Sequence, residues 1–338
     1  ENIPIGDGDQ IKLDQWTEKD GYKVIYLSPE KQKSLVYKTI AKEINPDWVY
    51  YNSLFSKNFT LKPYRALKKS GARQIIAPRG MLGQGALNIK PIKKKAFLAA
   101  AKNFLFDKET YWHATSQQEA NEIAKELKVS KDKIRIASNL ASPLPEEFEI
   151  VRKEDNEIDL FFLSRISEKK NLLFLLEILR ALPELENLTL DIYGPIENDG
   201  HWEKCKPLIE GDERITYKGE IHPHAIPGMI SRYHFLVLPT LHENYGHVIA
   251  ETLSQGRPVL ISDQTPWRAL EAKGIGYDLP LETEIWKDKL TINYQLSNIQ
   301  YQAMCKAAFI YAKGQLNSED SIRASQLLLA RIESLFKH

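Results

Sequence analysis

Residues 235–251 read Phe235-Leu236-Val237-Leu238-Pro239-Thr240-Leu241-His242-Glu243-Asn244-Tyr245-Gly246-His247-Val248-Ile249-Ala250-Glu251. Four successive apolar residues leave no polar face, so a strand over 234–240 is expected to be buried on both sides, as in a parallel sheet covered by helices. The strand is expected to end at Pro239-Thr240, with a loop carrying Glu243 and a helix starting near Gly246. The free N–H groups of a helix that follows a strand suit a diphosphate. A nearby carboxylate can accept two hydrogen bonds from a vicinal diol on a ribose or hexose. Glu243 and Glu251 stand eight residues apart, one in the loop and one inside the helix. On spacing alone, a capping Glu243 and a surface Glu251 are the simpler reading.

Outward from this stretch, short β-rich runs alternate with helical ones. Strands are expected over 23–27, 48–52, 74–78, 110–115 and 133–137, then over 159–164, 188–194, 215–220 and 258–263. Helices are expected over 30–44, 93–104, 117–127 and 171–182. The fold class is therefore α/β, as two doubly wound, Rossmann-like domains. A break over 141–156 holds Pro143, Pro145 and the charged run Arg152-Lys153-Glu154-Asp155, and reads as a linker. The expected domains are 1–142 and 157–317, with a tail helix over 318–338 that can pack back on the first. Two such domains joined once would face a cleft between the carboxyl ends of their strands. The first domain looks incomplete, because polar, turn-rich residues (Gly6-Asp7-Gly8-Asp9) precede its first clear strand.

The 338 residues fit two domains. With 43% hydrophobic and 27% charged residues the balance is that of a soluble globular chain, without an apolar run long enough to span a bilayer. The two cysteines, Cys205 and Cys305, lack metal-type spacing and do not make a disulfide framework, which fits a reducing cytoplasm. The net charge of +1 hides an asymmetry: residues 1–150 hold 25 Lys+Arg against 18 Asp+Glu, a net of +7, leaving −6 for the rest. A basic first half can face an anionic partner or simply be solvated.

Several further segments carry candidate chemistry. Leu163-Ser164-Arg165-Ile166-Ser167-Glu168-Lys169-Lys170-Asn171 follows an apolar strand, and its cations can clamp a diphosphate and stabilise it as a leaving group. His113 lies in Tyr111-Trp112-His113-Ala114-Thr115-Ser116 at a strand end, where a hydrogen-bonded, half-buried histidine is the plainer reading. Ala77-Pro78-Arg79-Gly80-Met81-Leu82 offers Arg79 for a phosphate or acceptor, with Gly80 permitting the turn. Asn52 ends another strand. Lys90-Pro91-Ile92-Lys93-Lys94-Lys95 is a basic, partly amphipathic stretch that can rest on an anionic membrane, although a solvated face is the simpler account. No base-stacking platform accompanies it, so nucleic acid is not expected.

These segments together resemble the retaining GT-B glycosyltransferases, in particular family 4 (glycosyl transferases group 1) of the bacterial polysaccharide-biosynthesis type. Residues 243–251 resemble its Glu-x7-Glu motif. The likeness runs on through Gly256-Arg257-Pro258-Val259-Leu260-Ile261-Ser262-Asp263-Gln264-Thr265-Pro266-Trp267, with Tyr245 where Phe is usual. Arg165 and Lys170 match the family's basic loop, Lys169 being an adjacent ambiguity. His113 matches its "H.TS..E" segment and Arg79 its "PRGML" loop. The likeness spans residues 22–290, but the family's opening strand and Gly-Gly donor loop are missing.

The resemblance implies transfer of a sugar, with retention, from a nucleotide-diphosphate sugar to a saccharide or lipid-linked acceptor. Glu243 would then touch the donor sugar, with Asn244, Tyr245 and Gly246 beside it, and Glu251 would hold the ribose. His113 would assist the reaction, Arg165 and Lys170 would stabilise the departing diphosphate, and Arg79 and Asn52 would serve the acceptor side. No Asp-x-Asp motif sits in a suitable loop, so neither a metal nor a cofactor is expected. A peripheral place at the inner face of the cytoplasmic membrane fits such an acceptor. A nucleotide-sugar epimerase or phosphorylase of the same architecture is one alternative. A degenerate, non-catalytic sugar-nucleotide-binding module is another, motivated by the missing loop.

Overall fold

The computed structural model describes residues 12–19, 21–83, 87, 91–141, 144–316 and 319–328. The residues before 12, Lys90 and the chain beyond 328, on which parts of the readings above rest, lie outside these. By backbone contact the chain divides into two compact units, 1–138 with 323–338, and 139–322.

The first unit opens with an antiparallel hairpin of β1 (Trp16–Lys19) and β2 (Tyr22–Ile25). The run expected as a strand over 23–27 thus pairs with its sequence neighbour and stays outside the parallel sheet. There follow α1 (Ser34–Ile44), β3 (Trp48–Tyr51), α2 (Lys62–Leu67), β4 (Arg73–Ile76), α3 (Pro91–Ala100), β5 (Tyr111–Ala114), α4 (Gln117–Leu127) and β6 (Ile134–Ile136). The four strands β3-β4-β5-β6 form a parallel sheet in chain order. In α4, Ser116 caps the start by accepting from the Glu119 N–H at 3.1 Å. Ala120, Ile123 and Leu127 form its buried stripe. The helix stops where Lys128 turns left-handed, at φ 55°.

The second unit contains β7 (Ile158–Leu163), α5 (Leu172–Arg180), β8 (Leu188–Tyr193), α6 (Asp199–Glu210), β9 (Ile215–Gly219), α7 (Ile226–Ile230), β10 (Phe235–Leu238), α8 (His247–Ser254), β11 (Val259–Ser262), β12 (Gly276–Leu279), α9 (Thr283–Tyr294) and α10 (Asn298–Gln315). Its sheet runs β9-β8-β7-β10-β11-β12, and every neighbouring pair is parallel. In local numbering this is 3-2-1-4-5-6, the doubly wound order whose direction reverses between β7 and β10. Phe235 to Leu238 are fully buried, as expected for a central strand covered on both faces. Removing each such side chain from water stabilises the fold by about 1.5–3 kcal/mol. The sixth strand, β12, was not expected. Gly276 begins it at φ 136°, where an added Cβ would lie 2.1 Å from the Val259 carbonyl oxygen.

The residues read as a linker pack onto the second unit. The Phe148 ring sits 4.9 Å from that of Phe309. Lys153 is 1% exposed, and its ammonium donates to the carbonyls of Tyr294 and Leu296 at 2.9 Å each and of Glu154 at 3.2 Å. A charge run is expected to face solvent; here three carbonyls replace the water one of its members gives up. At the far end, α11 (Glu319–Leu327) follows α10, and the Arg135 guanidinium of the first unit reaches the Leu327 carbonyl at 3.4 Å.

Candidate active site

In a doubly wound sheet, ligands bind outside the carboxyl ends of the strands, where the winding reverses. In the second unit that point lies between the loop after β7 and the loop after β10, and these loops carry the basic run and Glu243. Ser164 N donates to the Tyr193 carbonyl at 3.1 Å and Ile166 N to that of Pro195 at 2.8 Å, so the loop after β8 braces the Arg165 loop. The approach is close because Gly194 has no side chain: a Cβ there would lie 2.0 Å from the Ser164 carbonyl oxygen. A short turn over Glu168–Lys170 then leads through Asn171, left-handed at φ 57°, into α5.

This turn touches the Glu243 loop. The Lys169 carbonyl accepts from Leu241 N at 2.8 Å and from the Thr240 hydroxyl at 3.0 Å. On its other side Glu243 N donates to the Gln264 carbonyl at 2.9 Å. Held this way, Glu243 and Lys170 form an ion pair, with side chains only 13% and 10% exposed. Burial by itself would raise the Glu243 pKa. The Lys170 ammonium and its hydrogen bond, then Lys169 and the Asn244 N–H, outweigh burial and hold the carboxyl below its usual range. Burial lowers the pKa of Lys169, with Glu243 opposing.

Asn244 N donates to Glu243 Oε1 at 3.1 Å. Tyr245 packs its ring on Trp267 at 5.8 Å, and its carbonyl accepts from the Trp267 indole N–H. Gly246, at φ 78°, opens α8 without a side-chain cap. A Cβ on it would meet Ile249 Cδ1 at 2.7 Å and Glu243 Cγ at 3.2 Å. Glu251 lies further along α8 and lines a hollow with Pro223, Ile226, Pro227 and Gln255. Arg165 lies on the same loop as Lys170 but is 57% exposed and pairs with Glu197, a partner the sequence did not suggest.

The other candidates meet at the carboxyl ends of β3, β4 and β5 in the first unit. His113 is 5% exposed. Its Nε2 lies 2.8 Å from the Ala137 carbonyl and its Nδ1 2.6 Å from the Tyr50 hydroxyl. A carbonyl only accepts, so Nε2 carries the proton and Nδ1 accepts from Tyr50. The Tyr50 oxygen in turn accepts from Arg79 Nη2 at 2.9 Å, while Arg79 Nε donates to Asn52 Oδ1 at 2.6 Å. Burial, ahead of the Ala137 hydrogen bond, pushes the His113 pKa down, keeping the ring neutral. Burial also raises the Tyr50 pKa.

Arg79 and Gly80 both have positive φ, 56° and 72°. For arginine this conformation is costly and persists only where the surroundings hold it. Here the carboxylate of Glu119, 2% exposed, accepts from Gly80 N at 2.6 Å and from the Thr115 N–H and hydroxyl at 2.7 Å each. Sequence reasoning missed Tyr50 and Glu119. The Ser116-x-x-Glu119 spacing resembles a capping box, but the Glu119 carboxylate binds one residue before the cap and a loop 39 residues away.

Residues 145–275 match the model of the family described as glycosyl transferases group 1. No curated protein sequence matches the chain. Among solved structures, an S. aureus TarM variant in complex with fondaparinux, alpha-GlcNAc-glycerol and UDP is similar at a TM-score of 0.67 and 12% identity over 88% of this chain. Sucrose-phosphate synthase from Thermosynechococcus elongatus is similar at 0.69 and 15% identity, covering 92% of this chain and 81% of its own. WaaG, a glycosyltransferase involved in lipopolysaccharide biosynthesis, gives 0.64 and 14%, covering 87% of this chain and 94% of its own. The chain spans 59% of the TarM chain's length. At these identities the likeness establishes the fold: two Rossmann-like units of the GT-B class.

Proposed function

We propose that the protein transfers a sugar from a nucleotide-diphosphate sugar to a saccharide or lipid-linked acceptor. The observation that carries this reading is the largely buried Lys170–Glu243 pair beside the uncapped start of α8, at the reversal point of the second sheet and inside the matched segment 145–275. The diphosphate is taken by the first turn of α8 with Lys170 and Arg165, whose charges offset the negative charge that grows as the glycosidic bond breaks. Glu243 takes donor-sugar hydroxyls and Glu251 the ribose. Arg79, Asn52 and Tyr50 serve the acceptor side, and His113 positions Tyr50. That the TarM structure holds UDP and that WaaG serves lipopolysaccharide biosynthesis supports a nucleotide donor and a bacterial glycan acceptor.

The finer reading is that of family 4: retention at the anomeric carbon, the diphosphate departing from the face the acceptor attacks, and no metal. The basic stretch Lys90–Lys95, of which Lys93, Lys94 and Lys95 stand in α3, brings the protein to an anionic membrane from the cytoplasmic side. The test is incubation with a panel of nucleotide sugars, with and without glycan acceptors, following nucleoside diphosphate release and product anomer by NMR, in chelator and in added divalent cation. Acceptor-dependent release with a retained anomer and no chelator effect is expected. Epimerised donor without acceptor, or donor binding without any turnover, would overturn the transfer reading.

A further inference from the structure

The amino ends of β3 and β4, opposite the ends that carry Arg79 and His113, border a cavity of about 860 Å³. It is walled by the ends of α1 and α2 and by the turns that follow them. Six cations line it: Lys38, Lys42, Arg65, Lys68, Lys69 and Arg73, with Asp47 as the single lining carboxylate. Its floor is apolar, with Ala41, Ala66 and Leu67 buried. Lys68 is neutralised by Asp107 at 3.2 Å, and Arg73 lies over the Trp48 ring at 5.5 Å. Lys38, Lys42, Arg65 and Lys69 are exposed, and among the described residues none of the four has a carboxylate within ion-pair distance.

Cations near helix ends ordinarily serve the helix dipole, and Lys42 and Arg65 do stand in the last turns of α1 and α2. Each helix end presents only about half a negative charge. The two ends supply about one charge between them and Asp47 one more, while Asp107 removes one cation from the six. About three positive charges are left over, gathered on a concave surface. Concentrating like charges this way raises the local potential, a cost that a bound anion relieves.

We propose that this cavity binds a ligand carrying clustered phosphates, free in solution or displayed as a lipid headgroup, at a site separate from the transfer machinery. Two or more phosphates match the surplus charge, the Lys and Arg heads donate charge-assisted hydrogen bonds to their oxygens, and the cavity has the volume of a small-molecule site. The proposal stands independently of the glycosyltransfer reading.

The test compares the full chain with a Lys42→Glu, Lys69→Glu double variant, both positions being exposed, with thermal unfolding to verify the fold. Inorganic tripolyphosphate is titrated by calorimetry at low and moderate salt, and phosphatidylcholine–cardiolipin vesicles are used in co-sedimentation. The wild type is expected to bind at least one probe, with affinity falling as salt rises, and the double variant to lose about tenfold or more. Tripolyphosphate without vesicle binding assigns a soluble ligand, and vesicle binding alone a headgroup. Equal affinity of both proteins for both probes, or no binding of either probe to the wild type, overturns the proposal.

Discussion

Lys170 and Glu243 lie 73 residues apart in the chain, yet form one largely buried ion pair at the carboxyl ends of β7 and β10. In the proposed reaction the donor diphosphate would compete with Glu243 for the Lys170 ammonium. Removing Lys170 leaves the largely buried Glu243 carboxylate with only Lys169 and the Asn244 N–H to offset its charge. Lys170→Met is therefore expected to destabilise the fold by about 3 kcal/mol, and adding Glu243→Gln to restore much of that. Denaturant unfolding of the wild type, the single variant and the double variant measures it. A double variant no more stable than Lys170→Met alone would count against the pair.

In the proposed reaction Arg165 would separate catalysis from stability. It is more than half exposed, and its pair with Glu197 is a surface one, worth under about 1 kcal/mol. Arg165→Ala is expected to leave the melting temperature nearly unchanged while lowering kcat by about 100-fold or more, the loss typical of a missing transition-state donor. Steady-state release of nucleoside diphosphate reads it out. Unchanged turnover would remove Arg165 from the proposed machinery.

His113 predicts a pH dependence. Its folded pKa is depressed, so between its unfolded value of about 6.5 and the lower folded value the unfolded chain holds more protons. The stability from its neutral ring is fully present above about pH 6.5 and is lost as pH falls towards the folded pKa. Melting temperature followed across that acid range is expected to fall less steeply in His113→Asn than in the wild type. His234, also depressed by burial, adds a slope of the same sign in both proteins. Tyr50→Phe leaves Nδ1 without its donor, at a cost of about 1–3 kcal/mol, and frees Arg79 from one anchor. The same slope in wild type and His113→Asn would refute the assigned ring state.

Glu119→Ala removes the acceptor for three donors and releases the strained Arg79–Gly80 turn. The expected loss is about 3 kcal/mol, well above that of an ordinary surface carboxylate. Hydrogen exchange is expected to quicken at Gly80 and Thr115. If those amides keep their protection, the carboxylate does not hold the turn.

Gly194→Ala places a Cβ within 2.0 Å of the Ser164 carbonyl oxygen at a φ of 130°. The Arg165 loop would have to move or the fold loosen, at a cost of at least about 2 kcal/mol. A variant with the wild-type melting temperature and turnover would show that the loop tolerates the shift.

What the sequence determined by itself is local. The all-apolar run at 235–238 announces a strand buried on both faces, and the spacing after it places Glu243 in a loop and Gly246 at a helix start. Periodicity also located α4 over Gln117–Leu127. Only the tertiary structure decided which cation meets Glu243, because Lys169 and Lys170 are adjacent and the turn at Glu168–Lys170 selects between them. It also set the 3-2-1-4-5-6 strand order, the antiparallel pairing of β2 and the burial of Lys153 in a run that reads as a linker. The chain of donors from Arg79 through Tyr50 and His113 to Ala137 joins four segments of the first unit. Local pattern encodes what a residue does to its own backbone. Hydrogen bonds and ion pairs between distant segments depend on sheet register and on carbonyls that every residue carries alike, which sequence alone does not distinguish.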